Sequence, residues 1–361
     1  MSVESKSFSD LSSEPKKKVG AVRMGIIGAN FGAIIARNLR VENEFIRLQA
    51  VCDADKVKAD ALSTQTDVRA YYDLDALLAD PSVEAVGLFT AASGRASLIR
   101  KILRTGRHVM TTKPFEIDIE AAKSVLDEAR ELGLAVHLNS PAPVPADDIK
   151  QIHAWVKEHS LGRPIAMRAE TWANYHEVAN GSWYDDPLQC PAAPIFRLGI
   201  YLLNDFAPLL GTPRTVHVMA TRIRTGRPTA DNAQLCIEFE NGALGNVFAS
   251  FCVNDGQPWC DRVTLNYENG TIHRWMERCA DAADMSGDRA TVSLDHATAK
   301  VAPVQMQPGA YAGWYDWVAF HDAIRGIHGA PLQDADKILF GVRLLNAMRR
   351  STQSGLPESV G

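Results

Sequence analysis

The feature that most constrains this chain is a strand, a glycine turn and a helix in immediate succession near its start. Val22–Ile27 reads as a short buried strand, Gly28-Ala29-Asn30-Phe31-Gly32 as the turn, and residues 33–39 as a helix. A second strand over 45–52 ends at an acid, Asp53. The alternation then continues. Helices are expected at 56–62, Leu74–Leu78, 96–105 and 119–132, and strands at 71–72, 83–90, His108–Thr111 and 134–139. Strands and helices alternating at this spacing predict a doubly wound parallel sheet covered on both faces. After the cluster Pro141-Ala142-Pro143-Val144-Pro145 the pattern changes. Proline cannot sit in a central strand, so this cluster reads as a linker. A helix at 147–159 follows, then strands at 216–224, 233–239, 244–251 and 262–267, with Asn241-Gly242 and Asn269-Gly270 as hairpin turns. An open antiparallel sheet is expected here, one face free. One helix, 196–210, interrupts it, and helices at 314–325 and 335–351 close the chain. The expected organisation is a tail at 1–20, an α/β domain at 21–143 and an α+β domain at 144–361.

Composition narrows the class. The chain has 361 residues, enough for two domains with their own cores, and 46% hydrophobic residues, an ordinary globular share. A net charge of −5 offers no basic footprint for nucleic acid. No apolar run is long enough to span a membrane, and the N-terminus has no apolar stretch of the kind a secretory signal needs. Cys52, Cys190, Cys236, Cys252, Cys260 and Cys279 form no C-x-x-C pair and read as reduced thiols, so a cytoplasmic protein is expected. The histidines form no metal-ligating cluster, and no metal site is expected. The Ser-, Glu- and Lys-rich stretch 1–20, ending near Lys16-Lys17-Lys18, reads as a flexible tail.

The strand, turn, helix and acid together point to a dinucleotide site. Amides at a helix N-terminus receive a pyrophosphate, and an acid at the end of the second strand receives ribose hydroxyls. Asp53 lies 25 residues after Gly28. Read as G-x-G-x-x-G/A, the stretch gives Gly28, Ala29, Asn30, Phe31, Gly32 and Ala33. Asn30 replaces the second glycine, and asparagine tolerates left-handed backbone. A Rossmann domain is therefore expected, with Gly28, Ala29, Asn30, Phe31, Gly32 and Asp53 binding the cofactor. A carboxylate accepts from a 2′-hydroxyl and repels a 2′-phosphate, which favours NAD over NADP; Lys56 and Lys58 soften that preference. The competing role for Asp53 is a cap on the next helix.

Further residues resemble the Gfo/Idh/MocA oxidoreductases, relatives of glucose–fructose oxidoreductase and inositol dehydrogenase. Thr90, Gly106, His108 and Lys113 fall in step with that family's T-P-N-x-x-H, A-G-K-H-V and E-K-P strings. Gly199, Tyr201 and Asn204 match the G-x-Y-x-x-N form of its catalytic helix, and Asn139 an asparagine after the last strand of the nucleotide domain. The resemblance spans about residues 22–355. It implies Lys113 and Tyr201 as catalytic residues, Lys113 polarising the reacting oxygen and Tyr201 transferring a proton. It adds Thr90, Ala91, Lys113 and Asn139 to the cofactor contacts. It also implies a homo-oligomer built through the second sheet. A lysine ammonium beside a tyrosine depresses the phenol's pKa, which such a role requires at neutral pH. Taken alone, a lysine before proline is usually surface and a tyrosine on a leucine-rich helix usually core.

The departures fall near the chemistry. The proline, asparagine and histidine of T-P-N-x-x-H are Ala91, Ala92 and Arg95, and the glutamate of E-K-P is Thr112. The glycine-rich stretch before the catalytic helix is Ala192-Ala193-Pro194. The first acid of that helix is Arg197, one turn before Tyr201. Either Arg197 binds an acidic or phosphorylated substrate, or it pairs with Asp185, Asp186 or Asp205. His176, among Trp172, Asn174 and Tyr175, is a second substrate-binding candidate or part of a packed loop. The resulting expectation is an NAD(P)-dependent dehydrogenase acting on a CH–OH group of a sugar, cyclitol or related polyol. The alternatives are a catalytically silent cofactor-binding regulator and an NAD-recycling hydrolase or lyase.

Overall fold

The computed structural model describes residues 20–40, 44–277, 288–307 and 315–361. Of the sequence expectations, the tail up to residue 19, Cys279 and Trp314 lie outside the described residues. The first sheet holds β1 (Val22–Ile27), β2 (Ile46–Cys52), β3 (Arg69–Tyr71), β4 (Ala85–Leu88), β5 (His108–Thr111) and β6 (Val136–Leu138). They are parallel, in the order β3-β2-β1-β4-β5-β6. Helices α1 (Phe31–Arg40), α2 (Lys56–Thr66), α3 (Leu74–Leu78), α4 (Arg95–Leu103) and α5 (Ile119–Glu131) connect them. Every residue of β4 is buried, as a strand covered on both faces must be. Asp55, Asp73 and Asp118 start α2, α3 and α5 by accepting from free amides of the first turn, each contributing about 1 kcal/mol. The strand order reverses between β1 and β4. That reversal opens a crevice at their C-terminal ends, where a nucleotide binds in such sheets.

The second part holds α6 (Asp147–Glu158), β7 (Pro164–Trp172), α7 (Ile200–Phe206), β8 (Pro213–Thr221), β9 (Asn232–Phe239), β10 (Leu244–Ser250), β11 (Cys260–Tyr267), β12 (Gly270–Glu277), β13 (Arg289–His296), β14 (Val304–Met306), α8 (Trp317–Arg325), α9 (Ala335–Ser354) and β15 (Glu358–Ser359). Nine strands among the described residues form one sheet, β14-β13-β12-β11-β7-β10-β9-β8-β15. Both expected hairpins are present, β9 with β10 and β11 with β12. The sheet is not wholly antiparallel, however. β7 and β10 run parallel, because no tight turn joins them and the long return through β8 and β9 sets the direction of β10.

One face of this sheet carries the core. Ile152 and Trp155 of α6, Leu203 and Phe206 of α7 and Leu344 and Met348 of α9 pack on Leu235, Val247, Val263 and Leu265. The opposite face presents Arg168, Met219, Cys236 and Arg262 to solvent. Inside the core, Arg274 of β12 pairs with Asp148 of α6 at 2.9 Å, both side chains at least 96% buried. The chain then returns to the first sheet. Phe320 and Ala323 of α8 pack with Val22 and Met24, and Ile338 and Leu339 of α9 pack with Ala122 and Val125. The Leu332 carbonyl accepts from the Val136 amide at 2.9 Å. The C-terminal helices thus tie the two sheets together and fix the cleft between them.

Candidate active site

The glycine turn is built for close approach. Gly28 has φ of +97°, and a Cβ there would stand 2.6 Å from the Phe89 carbonyl oxygen. Only glycine fits. Gly32 lets α1 settle on β1, where a Cβ would press Ile26 and Phe89 at 3.1 Å. Asn30 is not left-handed, so its tolerance of that backbone goes unused; Gly28 alone supplies the turn's positive φ. Gly28→Ala is expected to destabilise the protein by about 2 kcal/mol in urea unfolding, from backbone strain and the carbonyl overlap. Retained stability would show the turn to be loose.

Asp53 Oδ2 accepts from the Ala29 amide at 2.7 Å and Oδ1 from the Asp55 amide at 2.9 Å. It therefore braces the turn from the end of β2. The cap on α2 is Asp55, not Asp53. A carboxylate has about four lone-pair positions, so two remain for ribose hydroxyls. The first turn of α1 carries no acidic side chain to compete with a phosphate. These residues fit a dinucleotide.

Three side chains from separate elements meet beside the crevice. Lys113 follows β5, Asn139 follows β6 and Tyr201 lies on α7. Buried Asn139 joins the other two: its Oδ1 accepts from the Lys113 amide at 3.1 Å, and its Nδ2 donates to the Tyr201 hydroxyl at 3.1 Å. The Lys113 ammonium donates to the Arg197 carbonyl at 2.5 Å and stands 4.7 Å from the centre of the Tyr201 ring. The expected single helix 196–210 is irregular. Ile195–Gly199 form a wide π-type turn, with the Ile200 amide bonded to the Ile195 carbonyl, and Ala207–Leu210 a tight 3₁₀ turn. Such wide turns recur at functional sites. Thr90 and Ala91, half-buried, follow the C-terminal end of β4, on the side where the crevice opens.

The electrostatics reverse one expectation. Burial, with the charges of Arg197 and Arg95, lowers the Lys113 pKa to about 7. Tyr201 moves the other way, well above its ordinary value, chiefly through burial. The lysine nitrogen faces the ring rather than the hydroxyl, and the hydrogen bond from the Asn139 amide lowers the phenol's pKa by less than burial raises it. At neutral pH Tyr201 is a proton donor and Lys113 is poised to titrate.

Arg197 is not a free anion receptor. Its fork is spent on Glu177, at 2.5 and 2.8 Å, and its guanidinium lies 4.2 Å from the Tyr184 ring centre and 4.7 Å from that of Phe251. Arg227 shares Glu177 at 3.0 Å and holds Asp185 at 2.5 Å. Arg197 is thus ion-paired, but of the three acids expected for it only Asp185 joins, and only through Arg227. Glu177 carries no sequence signal; only the fold brings its loop to the wide turn that precedes α7. His176 is exposed and makes no hydrogen bond among the described residues. Of the residues named around His176, Tyr175 packs beside Arg197; Tyr184 beside it and buried Tyr315 were not anticipated. Among the described residues no group of three or more His, Cys, Asp or Glu side chains could hold a metal, and no helix is long and apolar enough to cross a membrane.

Comparison with known proteins agrees with this geometry. Residues 22–140 match the family described as "Oxidoreductase family, NAD-binding Rossmann fold", and residues 149–273 match the "GFO/IDH/MocA C-terminal domain". An uncharacterized oxidoreductase of Schizosaccharomyces pombe is 24% identical, over 83% of this chain and 88% of its own. Myo-inositol 2-dehydrogenase of Thermotoga maritima is 22% identical, over 62% of this chain and 67% of its own. The structure of GenD2 from gentamicin A biosynthesis, in complex with NAD, superposes with a TM-score of 0.70 at 18% identity, covering 97% of this chain and 99% of that one. With a nucleotide turn in its first sheet, a lysine after β5 and both halves matched, this chain belongs to the Gfo/Idh/MocA family of NAD-binding oxidoreductases.

Proposed function

We propose that this protein is an NAD-dependent dehydrogenase acting on a CH–OH group of an uncharged polyol, a sugar or a cyclitol. The observation that carries the reading is the hydrogen-bonded set Lys113–Asn139–Tyr201, drawn from both halves of the chain at the same C-terminal edge of the first sheet as the glycine turn. The resemblance to myo-inositol 2-dehydrogenase supports the substrate class. With Arg197 neutralised by Glu177, the case for an acidic substrate falls away.

Bound NAD supplies the hydride acceptor for alcohol oxidation. Gly28, Ala29, Asn30, Phe31, Gly32, Thr90 and Ala91 would hold it, with Asp53 on the ribose. Lys113, with its pKa near neutrality, removes the hydroxyl proton as the alcohol is oxidised. Tyr201, kept as a phenol by burial, donates a hydrogen bond to the same oxygen and fixes it. Asn139 sets the distance between the two. We further propose a homo-oligomer through the open face of the second sheet, where one cross-strand row carries Met219, Gln234, Phe248, Glu170, Arg262 and Trp275.

Fluorescence titration with NADH and NADPH tests the cofactor assignment. The wild type is expected to bind NADH more tightly. Asp53→Ala is expected to weaken NADH about tenfold or more, the value of a charge-assisted hydrogen bond, and to leave NADPH unchanged or tighter. Equal loss of both cofactors would instead make Asp53 a brace for the turn alone.

A further inference from the structure

We propose that Arg95 is the positioning residue for Lys113, fixing from the protein interior the loop that carries it. The proposal rests on the role given to Lys113 above. Arg95 opens α4, yet its side chain is turned inward and is 1% exposed. Its Nη1 donates to the Thr112 carbonyl at 2.6 Å, to the Pro114 carbonyl and to the Phe115 carbonyl at 3.2 Å; its Nη2 donates to the Thr90 carbonyl. Two of these acceptors flank Lys113 on either side. A third, Thr90, follows β4 by two residues, on the side where the crevice opens. Asn139 takes the Lys113 amide from the opposite direction. The loop is therefore held by its carbonyls from one side and by its amide from the other. The lysine's stem starts from a backbone with little freedom to shift.

A planar guanidinium is suited to this work. It presents five donors at fixed angles, whereas histidine has at most two and lysine has no fork. In the sequence, Arg95 stands where the resemblance has histidine, so the clamp is this chain's own device. A buried charge costs several kcal/mol unless it is compensated. Compensation is at hand in Glu116, which is equally buried and caps α4 by accepting from the Gly94 amide at 3.2 Å and the Ala96 amide at 2.8 Å. A buried arginine adds one thing a neutral donor could not, a positive charge near Lys113. Burial and the charge of Arg197 lead in holding Lys113 from its proton, Cys190 opposes them, and Arg95 adds a smaller push in the same direction as Arg197, with the Tyr201 ring alongside.

The test is the titration of Lys113, read by NMR of the ¹³C-methylated lysines with Lys113→Met to assign the signal. Arg95→Lys keeps the charge and loses the fork. Arg95→His is the fallback should that variant not fold, since the motif this stretch resembles has histidine there. Positioning predicts that the Lys113 midpoint rises by about one unit or more as the loop loosens and water reaches the ammonium. It also predicts that kcat falls about 100-fold, the cost of a small misplacement, with KM and NADH affinity within about threefold. An unchanged midpoint overturns the proposal, whether or not the melting temperature drops, because a merely structural arginine would lower stability alone. The titration needs no turnover. If the wild type oxidises no polyol, the dehydrogenase reading fails while the midpoint still decides the role of Arg95.

Discussion

Lys113→Met is expected to lower turnover by about 10²–10⁴-fold, the usual worth of a positioned general base, and to leave NADH affinity within about threefold. Methionine keeps the length and packing of the stem and removes the titrating nitrogen. The pH dependence follows from the lowered pKa of about 7. Oxidation needs the neutral amine, so its rate falls as pH drops through about 7. Reduction needs the ammonium, so its rate falls as pH rises through the same value. Both limbs should vanish in Lys113→Met. Stability also rises with pH, but mostly above 7, where the oxidation rate is already levelling. In the unfolded chain the lysine binds its proton up to its ordinary pKa of 10.5, whereas in the folded chain it releases it near 7. The lysine therefore destabilises the fold below 10.5, most fully below 7, and the penalty fades as pH rises through that window. Lys113→Met should melt higher than wild type at neutral pH, which separates lost chemistry from lost folding.

The largest loss of stability is expected from Arg274→Met. Arg274 and Asp148 are buried together, Asp148 on α6 and Arg274 on the sheet beneath it. Asp148 Oδ1 also accepts from the Ile149 amide at 3.0 Å, and the Arg274 guanidinium lies over the Phe206 ring at 5.5 Å. Removing the arginine leaves a carboxylate with no counter-charge in the core, which costs about 3–5 kcal/mol. Asp205 adds to this: burial and Asp148 raise its pKa to about 7, while Arg274 holds it down. Chemical unfolding of Arg274→Met, Asp148→Leu and the double variant makes the test. The double variant should recover most of the stability, because the paired charges are replaced together. Additive losses would mean that the two residues act separately.

The first sheet was legible because its signals are local. Leu74–Leu78 and His108–Thr111 were readable to the residue; the structure adds Asp73 as the cap that starts the former. The hairpins were legible for the same reason, since Asn241-Gly242 and Asn269-Gly270 act within a few residues. The parallel pairing of β7 with β10 was not, because a crossover sets it. Lys113, Asn139 and Tyr201 could be named together only through their register with the family; their meeting spans 62 residues from Asn139 to Tyr201. Their titration was hidden altogether. Burial governs the direction of both pKa shifts, and burial belongs to the finished fold. Glu177 shows the same limit. The acids nearest Arg197 along the chain were natural partners, but the fold delivers one from 20 residues away.

The central claim is that this site moves a hydride between a polyol and NAD, with Lys113 taking the proton. The most direct measurement follows NADH absorbance when the purified protein meets NAD and a panel of aldoses and cyclitols, beside Lys113→Met. The account predicts NADH formation with at least one neutral polyol, rising with pH through about 7, and its collapse in the variant. Tight NADH binding without turnover across the panel, or turnover that Lys113→Met leaves intact, would contradict it.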